Sequence, residues 1–137
     1  MWQTTSPYVH VCHDRGDDRD VVGDRGGTHV ITIRGDIDIA SRDEISRVLG
    51  RFIRVTEAPR LVVDLRPVGF TDTALLKILC QAEAEVGPRN GSIHIVAVHP
   101  LVIRMLRVSG LNRRFPPQPT VGAALTLANA ASAPGLS

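Results

Sequence analysis

The segment Phe70-Thr71-Asp72-Thr73-Ala74-Leu75-Leu76 sets a carboxylate directly before a hydroxyl, and an apolar helical run comes after the pair. A hydroxyl in that position sits at a helix N-terminus, where first-turn amides lack partners inside the helix and the backbone dipole is positive. A phosphate ester on Thr73 fits there without breaking the helix, and it adds about 1.5 to 2 negative charges to the surface. The chemistry suggested is modification of this chain by another enzyme. An Asp-Thr pair ahead of an apolar helix is also an ordinary N-cap, and the two roles are compatible.

Other groups able to do chemistry lack the required spacing. His10, Cys12 and His13 lie on a strand-like segment, and alternation turns His13 away from the other two, against a shared metal. The five Asp between positions 14 and 27 are interleaved with three Arg and have no EF-hand spacing, so this glycine-rich stretch reads as a solvated loop. Gly23 to Gly27 precede a strand, whereas a phosphate-cradling loop must follow one and open a helix. His94 and His99 have no nucleophile and acid arranged as a triad. Two cysteines, Cys12 and Cys80, are too few for a disulfide framework and read as free thiols, with a redox pair as the alternative. No catalytic residue, cofactor site or metal site is therefore expected, and the chain does not read as an enzyme.

The elements that must position the Asp72-Thr73 pair emerge from periodicity. With 137 residues, 43% of them hydrophobic, the chain is long and apolar enough for one compact domain. A net charge of +2 with no basic block argues against a nucleic-acid surface. No apolar run nears the roughly 20 residues of a membrane span, and no leader pattern opens the chain, so a cytoplasmic protein is expected. Tyr8 to Cys12 alternates as a first strand, and His29 to Arg34 forms a second that ends in Gly35-Asp36-Ile37-Asp38. Ser41-Arg42-Asp43-Glu44 predicts a capping box for a helix whose buried stripe is Ile45, Val48, Leu49, Phe52 and Ile53. Leu61 to Leu65 suits a central strand, and Pro67-Val68-Gly69-Phe70 reads as a turn toward Asp72. The next helix buries Leu75, Leu76, Leu79, Ala82 and Val86 and stops at Gly87-Pro88. Asn90-Gly91 turns into a strand over Ile93 to Val98. Pro100 opens a helix carrying Val102, Ile103 and Leu106, and Gly110-Leu111 closes it. Thr120 caps a last helix bearing Val121, Ala124, Leu125 and Ala128. The expected class is α/β, a mixed β-sheet with helices packed mainly on one face. Residues 1–27 are expected as an N-terminal strand and polar loop, part of or appended to the domain, with 28–130 as the domain and 131–137 as a frayed tail.

Taken in order, Gly35-Asp36-Ile37-Asp38, Leu61 to Leu65, Phe70-Thr71-Asp72-Thr73, Ile93 to Val98 and Met105-Leu106-Arg107-Val108-Ser109-Gly110-Leu111 resemble a STAS domain of the anti-sigma factor antagonist family. The resemblance spans residues 28 to about 130. It implies a protein that binds an anti-sigma factor and frees its sigma factor, without catalysis of its own. The family's turn usually reads Asp-Ser-Ser-Gly, its first Ser phosphorylated by an anti-sigma factor that is also a serine/threonine kinase, and that position is Thr73 here. Ala74 stands in place of the second Ser and Leu75 in place of Gly, which adds a side chain where a partner's backbone would approach. The family's Gly-x-x-Asp element falls on Gly35 and Asp38. The implied partner surface is Asp38, Asp72, Thr73, Ala74 and Leu75, with a phosphatase acting if the switch operates. Asp72 has two compatible roles, orienting the Thr73 hydroxyl and capping its helix, and Asp38 is equally a turn residue that caps the next segment. The alternative readings are a constitutive STAS adaptor, stressosome-like or transporter-associated, and a small α/β ligand-binding domain or enzyme with a pocket near the Asp72 helix. Arg104, Arg107, Arg113 and Arg114 form either a basic contact surface or a solvated helix face.

Overall fold

The computed structural model describes residues 9–14, 28–55 and 57–131. Six strands and four α-helices are described, in the order β1 Val9–Asp14, β2 Thr28–Ile33, β3 Gly35–Ile37, α1 Ile39–Val55, β4 Arg60–Asp64, β5 Val68–Thr71, α2 Ala74–Val86, β6 Ser92–Val96, α3 Pro100–Val108 and α4 Val121–Ala131. The principal sheet has the order β1-β2-β4-β6, with β1 antiparallel to β2 and the other pairs parallel. It is the mixed sheet that the strand pattern predicts. Of residues 14–27, read from sequence as a polar loop, Asp14 ends β1 and 15–27 lie outside the described residues, as do the side chains of His10, Cys12 and His13 in β1.

Alternation along the strands divides the core. Ile31, Ile33, Leu61, Val63, Ile93 and Ile95 turn to one face, where α1 and α2 pack side by side with Ile45, Leu49, Ile53, Ile78 and Leu79. Val30, Val62 and Val96 turn to the other face and meet Ala124 and Ala128 of α4, with the partly buried Val121 and Leu125 packed against them, a smaller layer. Leu61-Val62-Val63 is consequently buried on both sides, which is why this strand reads as an unbroken apolar run. Most of the helical mass is on one face, as expected, and α4 supplies the lid of the second.

Two features are not evident from the sequence. The Pro67 to Phe70 stretch contains a real strand, β5, and it pairs in parallel with β3 as a separate two-stranded sheet. Strands of three and four residues, interrupted by glycines, are too short for alternation to register. Gly35 has φ of 87°, and the register slips between Gly35 and Asp36, so the glycine permits a left-handed bend that detaches β3 from β2. The strand over Ile93 to Val98 is also shorter than expected. It ends at Val96, which is bridged in parallel by Gln118, whose amide donates to the Ile95 carbonyl and whose carbonyl accepts from Ala97.

The turn into β6 depends on a close backbone approach. A Cβ on Gly91 would stand 2.2 Å from the Pro59 carbonyl oxygen, which also accepts the Ser92 amide at 2.9 Å. Gly91→Ala must push apart the entrances of β4 and β6, and urea denaturation should show a loss of about 1 to 3 kcal/mol.

Candidate functional site

The β3–β5 pair brings two helix starts together. Ile37 lies opposite Thr71, and the Asp72 amide donates to the Ile37 carbonyl at 3.2 Å, so Asp38 and Asp72 leave adjacent strand ends. Each then caps the helix it begins. The Asp38 carboxylate accepts from the Ser41 amide at 3.0 Å, while the Asp38 amide donates to Ser41 Oγ at 3.1 Å. The capping box is therefore Asp38 with Ser41, three residues ahead of the box predicted at Ser41 with Glu44. The shift has a simple cause, since β3 ends at Ile37 and the chain enters α1 immediately. Ser41 is buried, and its hydroxyl also donates to the Asp36 carbonyl at 3.0 Å.

At the second helix start the Asp72 carboxylate accepts from the Ala74 amide at 2.7 Å. Asp72 is the side-chain cap of α2, and Thr73, although it occupies the N-cap position, contributes no side-chain bond. Its hydroxyl is exposed and makes no hydrogen bond among the described residues. Replacing either Asp38 or Asp72 with Ala should lower stability by about 1 kcal/mol, read from thermal unfolding, because one first-turn amide is left bare in each case.

The expected partner surface is thereby split. Asp38, Asp72 and Thr73 are gathered at one end of the molecule, but Ala74 and Leu75 are 3% and 0% exposed and belong to the core cluster. Neither side chain can meet a partner. The helical turn that aims Thr73 outward aims the next two residues inward, so Leu75 adds nothing to the surface where a partner's backbone would approach.

Beside Thr73 lies an apolar groove of about 460 Å³, walled by Phe70, Thr71, Thr73 and Leu76 on one side and by Leu101, Arg104, Met105, Val108 and Ser109 of the α3 region on the other. Phe70, Leu101 and Val108 are 50%, 54% and 76% exposed. Its lining carries hydroxyls and a single charged group, Arg104, and no carboxylate, histidine or thiol. That set offers no acid and base pair for catalysis, and it suits an apolar segment of another protein. Sequence reasoning missed this groove. The signal was present in α3, where Leu101, Met105 and Val108 recur at i, i+4 and i+7, out of phase with the buried Val102 and Leu106.

Other titratable groups are occupied elsewhere. The buried Asp64 carboxylate takes two bonds of 2.9 Å from the Arg66 guanidinium, which raises the arginine's pKa further. His94 faces the α4 side of the sheet, with Nε2 3.2 Å from Ser92 Oγ, and burial lowers its pKa. No described helix is long and apolar enough to cross a membrane.

The family model described as the STAS domain matches residues 21–124. The chain belongs to the STAS domain family. Among curated relatives, this STAS domain is 29% identical over 105 residues to the anti-sigma-F factor antagonist RsfB of Mycobacterium tuberculosis, covering 77% of this chain and 84% of RsfB. Among solved structures it is similar to an anti-sigma factor antagonist from Mycobacterium paratuberculosis, with a TM-score of 0.71 and 26% identity over 92% of this chain and 99% of that one. SpoIIAA in its unphosphorylated form shares the fold, with a TM-score of 0.67 at 18% identity, over 77% of this chain and 90% of SpoIIAA. In this STAS domain Thr73, directly after the Asp72 cap, lines the groove, and the Asp38 helix start lies beside Asp72 through the β3–β5 pairing.

Proposed function

We propose that this domain is an anti-sigma factor antagonist, acting in the cytoplasm, that docks an anti-sigma factor on the face formed by Asp38, Asp72, Thr73 and the apolar groove, and so releases a sigma factor. The names of its relatives support the class of activity. The observation that carries the site is the Thr73 hydroxyl, exposed and without a hydrogen-bond partner among the described residues, on the rim of an apolar groove.

Phosphorylation of Thr73 reverses the docking. The Thr73 oxygen attacks the γ-phosphorus of a nucleoside triphosphate held by the partner kinase. The bond to the β-phosphate oxygen breaks, a nucleoside diphosphate leaves, and the hydroxyl proton passes to a base of the kinase. The cap geometry tolerates this change because Asp72, not Thr73, satisfies the Ala74 amide. Docking would then bury a near-dianion at an interface, a desolvation penalty of several kcal/mol unless the partner supplies cations. About 3 kcal/mol is already more than a hundredfold in affinity. A phosphatase restores the docking form.

The test is affinity capture from lysate of the source organism with wild-type and Thr73→Glu protein, with mass spectrometry of the captured partners and of Thr73. Capture of an anti-sigma kinase by wild type alone, with phosphate on Thr73, is the expected result. Equal capture by both proteins, or a transporter subunit in its place, makes the domain a constitutive adaptor with Thr73 outside any switch.

A further inference from the structure

We propose that a phosphate on Thr73 is held across the groove by Arg104, with Lys77 closing on it from α2, so that the modified residue seals the apolar surface it borders. The inference rests on Thr73 being the acceptor and adds the residues that receive the phosphate. Thr73 and Arg104 line the same groove from different elements, one at the start of α2 and the other on α3. Arg104 is exposed and has no carboxylate partner among the described residues, whereas Arg42, Arg54, Arg66 and Arg114 each have one. No carboxylate lines the groove to compete for its guanidinium. Lys77, the single lysine of the chain, is exposed four residues after Thr73. An anion N-terminal to a cation at that spacing is the favourable order along a helix.

Of the three nearby carboxylates, Asp72 accepts from the Ala74 amide and Asp38 from the Ser41 amide, while Asp36 is exposed on β3 opposite Phe70, and none of the three lines the groove. A planar guanidinium takes a phosphate through two parallel bonds, and its aliphatic stem lies readily along apolar walls such as Leu101 and Met105. Once bridged, the phosphate and the arginine together roof the groove. A partner segment that needs Phe70, Leu101 and Val108 then loses its seat as well as facing the added charge.

The test installs phosphothreonine at position 73 during translation, so that no kinase is needed, and follows the phosphate by phosphorus NMR across pH. The free ester loses its second proton near pH 6. Arg104, Lys77 and the first-turn amides of α2 lower that value, while Asp36, Asp38 and Asp72 raise it. In the otherwise native domain the midpoint should lie about one unit below that of a phosphothreonine peptide. Arg104→Gln should return at least about half of that shift, whereas Arg107→Gln, one turn nearer the α3 C-terminus, should return almost none of it. In proton–carbon spectra of the same samples the Met105 methyl resonance should move on phosphorylation, and Arg104→Gln should abolish the movement. Arg104 is exposed, so the variant keeps the fold. An Arg104→Gln midpoint equal to that of the native phosphoprotein, or an equal effect from Arg107→Gln, overturns the clamp. Because the phosphate is installed directly, a lysate in which no kinase modifies Thr73 would count against the proposed function alone and leave this measurement to stand or fall by itself.

Discussion

On the proposed function, a Thr73→Glu domain should bind an anti-sigma factor about thirtyfold more weakly than wild type, a loss of about 2 kcal/mol, while Thr73→Val should stay within about threefold. The contrast comes from the local geometry. The Thr73 hydroxyl holds no bond in the fold, and the amide it might have capped is taken by Asp72. Removing the hydroxyl with a residue of the same shape therefore disturbs neither α2 nor the groove rim. Glutamate introduces one negative charge at a surface that must be dehydrated when an apolar segment enters the groove, and an unpaired charge in such a place is strongly unfavourable. Stability should not fall with it, because an anion at a helix N-terminus is favourable by about 0.3 to 1 kcal/mol. Titration calorimetry of the purified pair, with thermal unfolding of both variants, separates the two effects. Equal affinities for Glu and wild type would remove Thr73 from the docking face.

The same region explains what sequence can and cannot reveal. Helix stripes with five or more apolar contacts to make, such as Ile45, Val48, Leu49, Phe52 and Ile53, are legible because a buried helical face must repeat near 3.6 residues, and all five are buried. The Asp-Thr pair is legible for a similar reason, since caps have few residue types. Contacts between segments distant in sequence are not. The β3–β5 pairing brings Asp38 beside Asp72, and neither short stretch announces its partner. The same is true of the groove, whose walls come from residues near 70 and near 105. Its place in a motif puts Leu75 on the partner surface, although its position one turn ahead of the buried Leu79 points it inward. Helical phase decides the question there, and the motif does not.

Leu75 also gives a large expected effect on stability. Leu75→Gly makes the turn more like the Asp-Ser-Ser-Gly pattern the family usually shows, yet it should destabilise the domain by about 3 to 6 kcal/mol. Loss of a fully buried leucine side chain costs about 2 to 5 kcal/mol through lost transfer energy and the cavity left behind. Glycine inside the first turn of α2 adds about 1 kcal/mol of backbone entropy. Against a typical stability of about 5 to 15 kcal/mol, that loss would leave a substantial unfolded fraction in the less stable part of the range. The core around Leu75 is already committed, because Ile37, Leu65, Ile78 and Leu79 are all at or below 1% exposure in the same cluster. None of these side chains offers a polar group that could recruit water to fill the space. Urea denaturation should show a lower midpoint at an unchanged slope, since the surface exposed on unfolding hardly changes. A loss below about 1 kcal/mol would mean that the α2 start can re-pack around glycine, and the inward assignment of Leu75 would then fail. If the expected loss is found, binding assays with Leu75→Gly would report unfolding as much as docking. The partner surface is therefore better probed at Leu101 and Val108, whose side chains are exposed on the groove wall.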